Sequence, residues 1–136
     1  MKRVAPALIL LLLLTPHLLA AEDLTGTWGG TLLMAMDGKE KNGPMLMVLK
    51  QTGGTFTGTA GPDEKRQNAA TVKGTVETVK RDGKDVTNVT LDLTPEGDHV
   101  AMRFVLTLED GRLKGKGQSE FEGHKMTGVL DVARLK

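Results

Sequence analysis

The chain of 136 residues contains no cysteine, a single tryptophan (Trp28), three phenylalanines and a single serine (Ser119). Without cysteine there is no disulfide framework, so a chain of this size relies on its core alone. The same absence removes the acceptor for an N-terminal lipid. An excess of charge of one sign is also missing, with 18 Lys plus Arg against 17 Asp plus Glu. That balance argues against a nucleic-acid binder or a binder of anionic membranes, which would carry a basic excess. Long hydrophobic runs are confined to the start, where residues 5–14 are apolar but fall short of the roughly 20 residues that cross a bilayer.

That opening segment has the layout of a secretory signal peptide. Lys2 and Arg3 precede the apolar run, Thr15-Pro16-His17 interrupts it, and the small pair Ala20-Ala21 offers a cleavage site. The expected domains are therefore a signal peptide at 1–21 and one domain at 22–136. Losing Lys2 and Arg3 lowers the basic count from 18 to 16 against 17 acids, a net charge of −1. The expectation is a monomeric secreted or periplasmic protein with no membrane span after cleavage. Asn88-Val89-Thr90 matches a glycosylation triplet, but it falls inside an expected strand and reads as chance.

Turn residues then recur at short intervals: 37–43, Gly53-Gly54, 61–69, 81–83, 95–98, Asp110-Gly111 and Glu122-Gly123. Such spacing predicts an all-β fold, and Asp-Gly or Gly-Gly pairs suit hairpins because they tolerate positive φ. No apolar row recurs at helical spacing. Between the turns, side chains alternate. One face collects Trp28, Leu32, Met34, Met36, Met45, Met47, Leu49, Phe56, Val72, Val76, Val89, Leu91, Leu93, Val100, Met102, Phe104, Leu106, Leu113, Phe121, Met126, Leu130 and Val132. On strand two the parity of the methionines is taken as inward, because Lys50 shares the other parity and seeks water. Glycines 30, 58, 74, 115, 117 and 128 share the inner face, where they relieve crowding in coiled strands. The opposite faces carry mixed charges, including Lys73, Asp92, Arg103, Arg112, Lys114, Lys116 and Asp131, the pattern of a wet wall. The predicted fold is an eight-stranded antiparallel up-and-down barrel, closed because closure removes exposed edges.

An up-and-down path sends the connections at 37–43, 61–69, 95–98 and 122–123 to one end, the mouth. The tight turns, the start of strand one and the finish of strand eight go to the other, the floor. Trp28 and Arg134 are then neighbours, and a guanidinium over an indole closes the floor by a cation–π contact. Above that floor the inner face is expected to hold no charged side chain.

Gly26-Thr27-Trp28 on the first strand, with Arg134 returning on the last, resembles the lipocalin or calycin barrels and small secreted bacterial barrels of that general form. In those a Gly-x-Trp motif and a late arginine close one end while the other receives small apolar ligands. Avidin-type barrels share a Gly-Thr-Trp-like start, but their ligand cage uses several tryptophans and this chain has one.

Signals for chemistry are sparse. His99 and His124 with Asp98 and Glu122 lie near the mouth, but the two histidines have opposite parity on strands about 10 Å apart, so no metal site is expected. Ser119 has no base and orienting partner in view. The carboxylate pairs Asp82/Asp85 and Glu120/Glu122 sit at solvated turns, and the inner rows contain no acid that burial would tune. No catalytic residue and no cofactor are expected. Two readings remain. In the first the barrel binds a small hydrophobic ligand, with Met34, Met36, Met47, Phe56, Met102, Phe104 and Met126 as lining, methionine being an adaptable surface. In the second the core is solid and loops such as 61–69 meet a protein partner, for example an envelope protein or a peptidase. An eight-stranded barrel stands at the threshold between filled and hollow.

Overall fold

A computed structural model describes residues 23–66, 68–97 and 101–135. The expected signal peptide, together with Asp98, His99 and Val100, lies outside these residues, as does the side chain of Phe121. The strands are β1 (Gly26–Met36), β2 (Lys39–Thr52), β3 (Thr55–Gly61), β4 (Ala70–Arg81), β5 (Lys84–Pro95), β6 (Met102–Glu109), β7 (Arg112–Phe121) and β8 (His124–Arg134). Each pairs antiparallel with its neighbour in sequence, and β1 pairs with β8, so the eight strands form a closed barrel. A single 3-10 turn at Glu64–Arg66 interrupts the connection from β3 to β4.

Turn chemistry sets the strand lengths. Asp37-Gly38, Asp82-Gly83, Asp110-Gly111 and Glu122-Gly123 all have positive φ at both positions, from 50° to 81°. That is the type I′ hairpin, whose twist matches the twist of the strands it joins. The first of these corrects a sequence expectation. Residues 37–43 do not form a long connection; the turn is Asp37-Gly38, and 39–43 continue β2 opposite β1. Pro44 is tolerated within that strand because β3 pairs with β2 only from Leu46 onward, leaving the other side of 39–45 without a ladder to break.

Burial alternates along most strands, though Leu32 to Ala35 of β1 are all half-buried. Met45, Met47 and Leu49 are buried while Val48 is exposed, so strand two has the methionine parity. Trp28, Phe56, Phe104, Met102 and the aliphatic residues of the inner rows form one continuous core. Inward glycines make room for the two buried rings. A Cβ on Gly74 would collide with the Thr90 carbonyl oxygen and come within 2.6 Å of the Phe56 ring. A Cβ on Gly117 would lie 2.6 Å from the Phe104 ring, which also covers Gly128. Large side chains thus fill the space that small ones leave across the barrel, the interlocking that dense interiors require.

Outside, the wall is polar. Arg103 and Asp92 are register partners joined by two hydrogen bonds, of 2.9 and 3.1 Å. Arg112 reaches Asp131 at 2.9 Å. An apolar lumen inside a charged wall is the inverse of a barrel that faces lipid.

Candidate functional site

The two ends of the barrel are built differently, and the floor is sealed. Trp28 is fully buried and pairs in register with Met47 on one side and Arg134 on the other. The Arg134 guanidinium lies 4.6 Å from the indole centroid. It also donates to the carbonyl oxygens of Thr25 (2.7 Å) and Asp23 (2.6 Å). Between these groups sits Leu24, fully buried, whose carbonyl accepts the Trp28 Nε1–H at 2.9 Å. The Leu24 amide donates to Gln51 Oε1 at 2.7 Å, and the Gln51 amide donates to Thr25 Oγ1. Residues 23–25 therefore form a plug held from β1, β2 and β8. The Trp28–Arg134 closure is as the sequence predicts; the plug was missed, because Leu24 is one apolar residue with no periodic neighbour. Beside it lies a cleft of about 230 Å³ bordered by Trp28, Asp85, Thr87, Leu108, Asp110 and Arg134.

The mouth is open. Here the inner face of β1 and β8 carries Leu32, Met34 and Met126, which are only half-buried, and Met36, which is 45% exposed. Met36 and Met126 are register partners, as are Met34 and Gly128. At the rim, His124 Nδ1 is 3.1 Å from Asp37 Oδ2, tying the β7–β8 turn to the β1–β2 turn.

The expected lining residues fall into two groups. Met34, Met36 and Met126 come together at the mouth. Met47, Phe56, Met102 and Phe104 are buried at 0–4% exposure, and the structure uses them as core. Phe104 and Met102 close under Gly128, forming a shelf below the mouth methionines.

The register also corrects the expected charge-free lumen. Lys39 stands opposite Met36 and Lys41 opposite Met34, so two ammonium groups share the methionines' face at the rim. Sequence reading missed them by assigning 37–43 to a loop; the Asp-Gly dipeptide was the signal that could have placed them. Among the described residues no three His, Asp or Glu side chains converge on a point, and His99 lies outside them.

A second concavity, about 730 Å³, lies on the outer wall across β6, β7 and β8. It is lined by Arg103, Lys116, Gln118 and Thr127 around Val105 and Val129, which are 64% and 40% exposed.

No family model, curated protein or solved structure matches the chain.

Proposed function

We propose that this barrel is a secreted or periplasmic, lipocalin-like, non-catalytic binding module that takes a small apolar molecule through its mouth. One observation carries the reading: inward-facing Leu32, Met34, Met36 and Met126 cluster partly or largely uncovered at one end, whereas lower in the barrel the inner apolar residues are buried apart from Leu108 beside the floor cleft. Apolar side chains on the inner face that are left wet gain by being covered, at roughly 25 cal/mol per Å². The Phe104–Met102 shelf limits the depth, so the bound molecule rests in the upper part of the barrel. The N-terminal segment with its charged start and small-residue exit supports export, and a barrel whose first and last strands pair supports a monomer. The polar edge of β2 at Lys39, Glu40, Lys41 and Pro44 is of the kind that discourages strand addition.

The test is native mass spectrometry of the protein purified from cells that make it, followed by denaturation and identification of anything released. An apolar small molecule held at one per chain is the expected result. A bare chain that also fails to bind added alkyl-chain compounds would sink the reading. The outer concavity favours a second reading, a protein-interaction module docking through Val105 and Val129. In that case Val105→Lys abolishes partner binding and leaves ligand uptake intact.

A further inference from the structure

Antiparallel residues directly opposite each other project to the same side of a sheet. Met34 packs against the core and faces Lys41, and Met36 faces Lys39. Both lysines therefore place positive charge beside the methionines on the same face. Glu40, between them, has the opposite parity and belongs to the outer side. On the neighbouring hairpin, the inner positions of β7 and β8 near the rim include Ser119, Met126 and His124, while Glu120 and Lys125 alternate outward. The turn acid Asp37 is engaged by His124 at 3.1 Å, and in the β3–β4 connection Asp63 lies 3.7 Å from Arg66. Across β1, β2, β7 and β8, the inner face above Leu32 thus carries Lys39 and Lys41 and no carboxylate among the described residues.

Resting on the binding reading above, we propose that the mouth selects amphiphiles with an anionic headgroup, of the long-chain carboxylate type. The alkyl tail covers Met34, Met36 and Met126, and the carboxylate lies between the Lys39 and Lys41 ammonium groups. Lysine suits this place because its ammonium is a point charge on a flexible stem, which follows a headgroup without demanding a fixed orientation. The charges are exposed, so the preference weakens as salt screens them.

The test is calorimetric titration at low ionic strength with dodecanoate, dodecanol and dodecylamine, which share one tail. The protein is expected to bind dodecanoate about ten-fold more tightly than dodecanol, and dodecylamine least, a margin within reach of two partly screened ion contacts. Lys39→Glu with Lys41→Glu is expected to reverse the order of acid and amine while leaving melting unchanged, as both side chains are exposed. If the reversed pair perturbs folding, Lys39→Gln with Lys41→Gln is expected to erase the preference without inverting it. Equal affinity for acid and alcohol, or a preference that survives both pairs, overturns the headgroup proposal and leaves the apolar site standing. Failure of all three compounds to bind overturns the binding reading, and this proposal with it.

Discussion

The floor and the mouth of this barrel share one ladder of strands and one apolar inner face, yet chain covers the first while the described inner residues of the second stay partly exposed. At the floor, Trp28 and Leu24 are fully buried and the plug at 23–25 is fixed by hydrogen bonds of 2.6–3.0 Å from β1, β2 and β8. At the mouth, Met36 is 45% exposed, and the side-chain tie beyond the β1–β8 ladder is the exposed His124–Asp37 pair. The difference teaches that closing the strand pairing closes a wall and not its ends. An end is closed by chain that crosses it and satisfies its own backbone groups while doing so. Here residues 23–25 do that for the floor. Stability should therefore fall from floor to mouth, since local opening is easiest where few buried contacts hold an element.

Cutting into the floor should have the largest effect. Trp28→Ala removes the biggest buried side chain and is expected to cost about 3–5 kcal/mol in denaturant unfolding. A loss under about 1 kcal/mol would mean the floor is not packed as described. Leu24→Ala is next, at about 2–4 kcal/mol, and it tests the plug rather than the wall. Were it neutral, residues 23–25 would lie on the barrel without closing it. Arg134→Ala loses the guanidinium's two hydrogen bonds and its contact with the indole, an expected cost of about 1–2 kcal/mol. It should also change Trp28 emission, since the ring then meets water. At the other end, Met36→Ala is expected to stay within about 0.5 kcal/mol. A cost there as large as Leu24→Ala would show the mouth to be packed and erase the contrast.

The strand parity and the Trp28–Arg134 closure were legible in the sequence because each depends on local rules. Period-two alternation names a face, and an even number of up-and-down strands returns the last beside the first. The same rules failed where two signals competed. Across 37–43 the Gly43-Pro44 pair suggested a long connection, but Asp37-Gly38 supplies a complete type I′ turn, and a strand without a partner on one side accepts proline. That local error hid Lys39 and Lys41. Which inward residues fill the barrel and which line an opening was not legible either. Met34 and Met47 look alike in a sequence. What separates them is height above the Phe104 shelf, a consequence of register across several strands. Leu24 was invisible for a related reason, since its burial depends on Trp28, Gln51 and Arg134 converging from three strands.

The smallest expected effect concerns acid and again falls at the floor. The Thr25 backbone N–H, donating to Asp23 Oδ1 at 2.9 Å, holds the Asp23 carboxyl below the ordinary aspartate range, with the Thr25 side chain and then the Arg134 charge assisting. A carboxyl whose folded pKa lies below its unfolded value contributes its full stability above the unfolded value, about 3.9. That contribution is lost as pH falls through the depressed value, once the proton displaces the hydrogen bonds. An NMR titration of the Asp23 side-chain carboxyl should accordingly give a midpoint below that of an exposed aspartate. Because the backbone donor outranks the arginine, Arg134→Ala should raise the midpoint only slightly, and Thr25→Val, which keeps the N–H, should restore only part of the ordinary value. A wild-type midpoint at the ordinary value would mean that Asp23 does not hold its turn in solution. The plug would then rest on the burial of Leu24 and on the hydrogen bonds from Trp28, Gln51 and Arg134, and the floor would differ from the mouth without help from the Asp23 carboxylate.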